Sequence, residues 1–222
     1  MKDLIKNFYN TEYYYNEPTE LCVLMDDYGS DKGPEHLGAN NYTKLYEYVF
    51  KDVKNSTTKF LEFGLGTNFT DTPSSMGPDG KPGSSLRGFR DYFLNAQIYG
   101  IDIDPNTLFT EKRIITYNCS QIDFYKLDIL FEKKSIDIIV DDGSHMMSHQ
   151  IKSFMHMSKF IKSGGFYILE DLHTSYMPSY IDSEFTAIEF LENIDKSIYN
   201  IDFIDLFRHP NKESITSIIK FK

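Results

Sequence analysis

The stretch IDIIVDDGSHMMSHQ, residues 136–150, decides the fold of this chain. Its apolar, β-branched run ends abruptly in two aspartates, a glycine, a serine and a histidine. A short continuous apolar run of this kind is typical of a strand buried in a parallel sheet. Adjacent carboxylates repel each other and are costly to bury without a partner, so we expect Asp141 and Asp142 to face a ligand at the strand end.

Similar apolar runs recur along the chain, and all but the weakest are closed by glycines or acids. They are KFLEFG (59–64), QIYGIDID (97–104), the weaker RIITYNC (113–119) and GGFYILEDLH (164–173). Amphipathic helical patterns over 84–95 and 148–165 lie between them, the second closed by glycines. This alternation predicts an α/β fold with five parallel strands joined by helical crossovers, an antiparallel C-terminal hairpin at one edge of the sheet and a helical N-terminal segment.

Length and composition bound the class of protein. We expect 222 residues to form one domain, with a helical cap and ligand loop over 1–57 and the core over 58–222. A net charge of -10 argues against a nucleic-acid partner. Cys22 and Cys119 show no metal-binding spacing, and neither a signal peptide nor a membrane-spanning run is recognisable. These features predict a soluble, cytoplasmic protein.

The strand ends offer a site for an adenosine-type ligand, because ligands of open α/β sheets bind beyond the carboxyl ends of the strands. Gly64 and Gly66 let the backbone approach a ligand, and Asp102 can accept both hydroxyls of a ribose. A dinucleotide site requires a third glycine opening a helix, which is missing here. S-adenosylmethionine has no phosphate, and its cationic methionine portion suits the acidic Glu62, so the methyl donor is favoured.

Three further residues are assigned to this cofactor site. Gln121 and Asp123 follow the weak strand and could reach the adenine amino group, although a capping role for Asp123 is an equal alternative. Asp141 lies beside the first turn at the end of the central strand.

Carboxylates at two neighbouring strand ends predict a metal site. Asp142, Glu170 and Asp171 can converge on one point, and hard oxygen ligands with room for substrate select Mg²⁺ over zinc. His145 has the side-chain type and position of a general base that deprotonates a hydroxyl. His149, four residues on, could contact the acceptor or be an ordinary helix histidine.

The motifs together resemble the metal-dependent sugar O-methyltransferases of the macrocin and mycinamicin type. The matching segments are YGSDKG (28–33), NYTKLYEYVF (41–50), FLEFGLGTN (60–68), SSMGPDGKPGSSLRGFRDYF (74–93), IYGIDIDP (98–105), VDDGSHMMSHQIKSF (140–154) and GGFYILEDLHTSY (164–176). The resemblance implies a Rossmann-like class I methyltransferase fold with a mostly parallel seven-stranded sheet. It also implies magnesium ligands at Asp142, Glu170 and Asp171 and a base at His145. Methyl-donor contacts are implied at Glu62, Gly64, Asp102 and the segment from Gln121 to Asp123. The family commonly has aspartate at the position of Glu170.

The expected function is transfer of a methyl group from S-adenosylmethionine to a hydroxyl of a sugar, nucleotide sugar or related small molecule, in polysaccharide or secondary-metabolite tailoring. The alternatives are a metal-independent N- or O-methyltransferase, a relative of the cephalosporin hydroxylases that share these motifs, and a non-catalytic binding protein. Tyr176 is a candidate acceptor contact, the loop 74–85 a candidate lid, and Lys32 either a ligand contact or a solvated side chain. A homo-oligomer is possible.

Overall fold

A computed structural model describes residues 4–15, 18–35, 41–71, 74–209 and 213–222. Its strands are β1 Lys59–Phe63, β2 Gln97–Asp102, β3 Thr110–Glu111, β4 Ile114–Asn118, β5 Ile136–Asp141, β6 Ile161–Leu169, β7 Ile201–Arg208 and β8 Ile215–Phe221. Its helices are α1 Leu4–Tyr9, α2 Glu12–Tyr15, α3 Glu20–Tyr28, α4 Thr43–Phe50, α5 Ser84–Tyr92, α6 Phe124–Leu130, α7 Met147–Met157 and α8 Ala187–Asn193. Across these ranges, no helix is long and apolar enough to cross a membrane.

All eight strands form one sheet in the order β3-β4-β2-β1-β5-β6-β8-β7. The five predicted parallel strands are confirmed as β1, β2, β4, β5 and β6, and the predicted hairpin is confirmed as antiparallel β7 and β8. The sequence HPNK, residues 209–212, predicts the turn of this hairpin, and residues 210–212 lie outside the described residues. The sheet has eight strands instead of seven because the two-residue β3 pairs antiparallel with β4.

The predicted helix over 148–165 is wrong at its C-terminal end. Helix α7 ends at Met157, and β6 begins at Ile161, which is buried and pairs with Ile136. The glycines do not close the helix: a side chain at Gly165 would stand 2.7 Å from the carbonyl oxygen of Asp137. Gly165 is therefore required where two strands approach closely.

Apolar side chains cover both faces of the sheet. One cluster joins the sheet to α1, α3, α4 and α5, and the other joins it to α6, α7 and α8. Helix α3 begins at the N-cap Thr19 and ends at Gly29, whose left-handed φ of 77° turns the chain sharply. That turn carries residues 30–33 toward the carboxyl ends of the central strands.

The ligand crevice is fixed where β1 and β5 lie side by side. From β1 the chain moves outward to β2 and later returns to β5 on the opposite side, so the strand order reverses at this point. The Gly64 amide donates to the Ile101 carbonyl at 2.9 Å, and the Asp142 amide donates to the Phe63 carbonyl at 3.0 Å. These bonds bring Gly64 and Asp142 together at the mouth of the crevice.

Candidate active site

Asp142, His145 and Asp171 converge at the ends of β5 and β6. One ligand atom from each lies within 4.8 Å of the others. The His145 Nε2 atom is 3.8 Å from Asp142 Oδ1 and 3.7 Å from Asp171 Oδ2. Two carboxylate oxygens and an imidazole nitrogen at these separations fit a divalent cation or a proton-transfer site.

The backbone around this cluster is strained. His145 and Asp171 both adopt left-handed conformations, with φ of 58° and 53°, which side chains other than glycine rarely take. The Thr174 hydroxyl ties the two turns together, at 3.1 Å from the His145 carbonyl oxygen and 2.7 Å from that of Asp171. Strain of this kind persists where the surrounding structure over-determines it, and it concentrates at functional sites.

Glu170 is next to the cluster but faces a different partner. Its Oε2 atom accepts from Lys32 Nζ at 2.6 Å, and its Oε1 atom accepts from the Tyr46 hydroxyl. The same Lys32 Nζ lies 2.5 Å from Asp142 Oδ2 and 3.5 Å from Glu62 Oε1. Of the three predicted metal ligands, two therefore meet directly with His145, while Glu170 joins them through the ammonium group of Lys32.

The N-terminal segment supplies side chains that sequence reasoning missed. Tyr42 donates to Asp171 Oδ1 at 2.5 Å and also contacts Ser214, while Tyr46 lies one helical turn further on. Both tyrosines are fully buried. The signal for them was available, because a buried tyrosine hydroxyl needs a polar partner and the spacing of four residues puts both on one helix face.

Buried charge dominates the electrostatics of this region. Burial alone would lower the pKa of Lys32, but the charges of Asp142, Glu170 and Glu62 outweigh it and raise the pKa well above its ordinary value. Burial raises the pKa of Glu62 to about 7 despite the lowering effect of Lys32 and Ser85. Burial, and then the charge of Asp142, raises the pKa of Glu170. With one ammonium group as counter-ion, burial keeps these two carboxyl groups hard to ionise, and a further cation would favour their charged forms.

A cavity of about 290 Å³ opens in front of the cluster. Its walls come from the turn after β1, the loop after α3, the loop before α5 and the segment after β6. A smaller cavity of about 100 Å³ adjoins it, with Gly64, Asp102 and Gly143 lining both. The smaller cavity has apolar walls at Phe63 and Ile101, which suit a flat ring such as adenine.

Asp102 stands at the junction of the two cavities, as its predicted ribose role requires. Its carboxylate oxygens accept from the backbone amides of Leu65 at 2.7 Å and Asp104 at 2.8 Å. These bonds fix the side chain and leave each oxygen with acceptor capacity for a ligand hydroxyl. Gln121 lines the smaller cavity, where its Oε1 atom accepts from the Ser144 amide at 2.7 Å.

Asp141, Asp123 and Tyr176 are placed differently from the expectation. Asp141 lines neither cavity. It is buried and accepts from Tyr167 at 2.7 Å and Gln121 at 3.0 Å, and burial raises its pKa to about 6. Asp123 caps helix α6 by accepting from the Lys126 amide, the alternative considered for it. Tyr176 is 59% exposed and outside both cavity walls.

The remaining expected contacts surround the cavities. His149 lines the smaller cavity, with Nδ1 at 2.7 Å from the Ser144 hydroxyl. Tyr180, in place of Tyr176, lines the larger one, with its ring centroid 6.1 Å from that of His145. In the loop 74–85, Met76 lines the larger cavity and its amide donates to the Thr67 carbonyl at 3.0 Å.

Known proteins were compared with the chain. No family model matches it. It is 35% identical over 167 residues to the 8-demethyl-8-(2-methoxy-alpha-L-rhamnosyl)-tetracenomycin-C 3'-O-methyltransferase of Streptomyces olivaceus, covering 74% of this chain and 40% of that protein. It is 34% identical over 140 residues to the Mycinamicin VI 2''-O-methyltransferase of Micromonospora griseorubida, covering 63% and 33%. The chain thus spans less than half the length of these relatives.

The structural comparison leads to the same group. The MycE methyltransferase of the mycinamycin biosynthetic pathway, solved in complex with Mg, SAH and mycinamycin VI, matches with a TM-score of 0.74 and 26% identity over 93% of this chain and 56% of that one. A putative O-methyltransferase from Klebsiella pneumoniae, at 12% identity and a TM-score of 0.56, shares the fold. In sequence and in methyltransferase fold, this chain is therefore a homologue of the mycinamicin, macrocin and tetracenomycin sugar O-methyltransferases.

Proposed function

We propose that this protein is an S-adenosylmethionine-dependent, Mg²⁺-dependent O-methyltransferase that acts on a hydroxyl of a sugar or sugar-like small molecule. One observation carries the proposal. The Asp142, His145 and Asp171 cluster and the ribose-type acceptor Asp102 line the same cavity. The cavity therefore combines a base for an acceptor hydroxyl, His145, with a carboxylate that can hold an adenosine, Asp102.

The donor fits the two joined cavities. Adenine would lie between the apolar walls of the smaller one, and the ribose hydroxyls would bond to Asp102. The methionine portion would extend past Gly64 and Gly66 toward Glu62. The Glu62 Oε1 atom is buried, and its polar neighbour is Lys32 Nζ at the long distance of 3.5 Å, so this oxygen keeps acceptor capacity for the amino group of the donor.

The metal fits the carboxylate end of the larger cavity. Asp142 and Asp171 would hold it, with Glu170 available once its bond to Lys32 is released. A bound Mg²⁺ lowers the pKa of a coordinated hydroxyl and orients it. His145 would then take the hydroxyl proton on Nε2 as the oxygen attacks the methyl carbon in line with the departing sulfur.

A sugar acceptor is supported by the relative that is named a 3'-O-methyltransferase of a rhamnosyl-tetracenomycin. Tyr180, beside His145, offers an aromatic face of the kind that packs against a sugar ring. Both described cysteines, Cys22 and Cys119, are buried and free, which supports our placement of the protein in the cytoplasm. The acceptor screen distinguishes a sugar of a polysaccharide from a sugar of a secondary metabolite.

Calorimetric titration of chelator-treated protein with SAH and then Mg²⁺ tests the proposal. Wild-type protein should bind both, and Asp171→Asn should retain SAH binding while losing most of the Mg²⁺ affinity. Asp128→Asn is the matched control, because Asp128 is an exposed acid paired with Lys159 away from the cavity. Methyl transfer from labelled donor to a panel of sugars and nucleotide sugars then identifies the acceptor.

Two results would contradict the proposal. Absence of SAH binding removes the methyltransferase assignment. SAH binding with methyl transfer that survives chelation, and that is equal in Asp171→Asn and wild type, supports a metal-independent enzyme instead.

A further inference from the structure

Lys32 holds a position that a cation would be expected to occupy. We propose that its ammonium group is a built-in counter-ion of the carboxylate cluster, which a divalent cation replaces by displacing the Lys32 side chain into the neighbouring cavity. This inference rests on the metal dependence proposed above. In this proposal Lys32 leaves the carboxylates when the metal binds, whereas a structural salt bridge or a permanent ligand contact would keep it in place.

The contacts of the ammonium group are those of an ion in a carboxylate cage. Lys32 Nζ has oxygens of Asp142, Glu170 and Glu62 at 2.5, 2.6 and 3.5 Å. The side chain is only 3% exposed. Two of these carboxylates, Asp142 and Glu170, are also expected magnesium ligands. An ammonium group and a divalent cation both require the same oxygens, so they compete for the site.

The charge balance favours the stronger cation. Lys32 contacts Glu62, Asp142 and Glu170, and His145 contacts Asp142 and Asp171. Among the described residues, Lys32 is the single lysine or arginine that contacts any of these four acidic side chains. Burial favours the neutral forms of Glu62 and Glu170, but Asp142 and Asp171 still place two carboxylates against one ammonium group. A divalent ion compensates more of this charge than a monovalent group does.

The loop that carries Lys32 permits this exchange without unfolding. Its backbone is anchored, because the Ser30 amide donates to the Met25 carbonyl at 2.8 Å and the Thr43 amide donates to the Lys32 carbonyl at 3.4 Å. Ser30, Asp31 and Lys32 all line the larger cavity, so open space adjoins the lysine. Rotation about the side-chain bonds of Lys32 therefore suffices to vacate the cage.

Removal of the competing ammonium group gives the first test. Lys32→Met should bind Mn²⁺, used as the calorimetric and paramagnetic probe, at least about tenfold more tightly than wild type, because no cation must be displaced. The metal-free variant should also melt at a lower temperature, since its buried carboxylates lose their counter-ion. Lys162→Met is the matched control: Lys162 Nζ pairs with Asp137 at 2.8 Å, outside the cavity walls. It should leave Mn²⁺ affinity unchanged.

Amine labelling of wild-type protein gives a second test that does not require a variant to fold. The ion-paired Lys32 should acetylate slowly without metal, and its labelling rate, followed by mass spectrometry, should rise when Mn²⁺ is added. The labelling rate of Lys162 should stay constant.

Three outcomes overturn the proposal: Lys32→Met binds Mn²⁺ no more tightly than wild type, Lys32 labelling does not rise while Mn²⁺ binds, or no Mn²⁺ binds to either protein. In the last case, retained SAH binding shows that the donor site survives. Suppose instead that SAH does not bind, while Lys32→Met binds Mn²⁺ more tightly and Lys32 labelling rises with Mn²⁺. That result would contradict the proposed function and leave this inference intact.

Discussion

Replacement of Gly64 with alanine tests the close approach of strand ends on which the site depends. Gly64 has a φ of 85°, and a side-chain carbon there would lie 2.0 Å from the backbone carbonyl oxygen of Asp142. The left-handed backbone costs an alanine about 1–2 kcal/mol. Overpacking against a fixed backbone atom adds about 1–3 kcal/mol. The variant should therefore lose about 2–5 kcal/mol of unfolding free energy.

Gly164→Ala separates the two contributions. Gly164 has a φ of 78°, close to that of Gly64, but nothing lies within 4 Å of a side-chain carbon placed there. It should lose only the conformational part, about 1–2 kcal/mol. Guanidinium denaturation of both variants and wild type, with equal slopes, measures the difference.

The same comparison reports on the site. Because relief of the clash would displace Asp142, Gly64→Ala should also weaken Mn²⁺ binding, whereas Gly164→Ala should not. If the two variants unfold within about 0.5 kcal/mol of each other, the tight contact between β1 and β5 is refuted. The positioning of Asp142 by that contact would then be refuted with it.

Three further predictions concern single side chains of the site. His145→Asn should lower turnover about 10²- to 10⁴-fold while leaving unfolding free energy unchanged or higher, because asparagine tolerates a φ of 58°; a stable variant with wild-type turnover would rule out the base role. Asp102→Ala should weaken SAH binding by about tenfold or more in calorimetry, through loss of charge-assisted hydrogen bonds, and unchanged affinity would place the ribose elsewhere. Because the pKa of Glu62 is raised from 4.5 to about 7, the folded state keeps a proton that the unfolded state releases, so stability falls as pH rises between these values. In denaturation measured from pH 4.5 to 8, wild-type protein should lose up to about 3 kcal/mol of unfolding free energy that Glu62→Gln does not lose. Parallel pH profiles of variant and wild type would contradict the raised pKa of Glu62.

Local sequence pattern was sufficient for most of the fold. Apolar runs of strand length correctly predicted the parallel strands, because burial on both faces of a sheet leaves a continuous apolar stretch in the sequence. Two β-rich pieces separated by a turn correctly predicted the edge hairpin. The end of α7 was mispredicted because adjacent glycines resemble a helix stop, whereas Gly164 adopts a left-handed φ of 78° within β6 and Gly165 lies where two strands approach closely. A two-residue strand such as β3 has too few residues to show any period.

The sequence pattern predicted that Asp141 and Asp142 both face a ligand, but the structure gives them different environments. Successive side chains of a strand point to opposite faces, so neighbouring aspartates do not share an environment. Asp141 bonds to Tyr167 within the sheet, and Asp142 reaches Lys32 at the crevice. Applied to these two residues, the alternation of side chains along a strand would have predicted different roles for them.

The sequence by itself determined the class of fold, the strand ends that bear the carboxylates and the histidine beside them, because each depends on residues adjacent along the chain. Only the tertiary structure decided the partners of those groups. Lys32 reaches Asp142 and Glu170 across sequence separations of 110 and 138 residues, and Tyr42 reaches Asp171 across 129. These contacts exist because the N-terminal helices pack on the sheet through a shared apolar core. Packing of that kind is set by the summed burial of many side chains, and no short stretch of sequence encodes it.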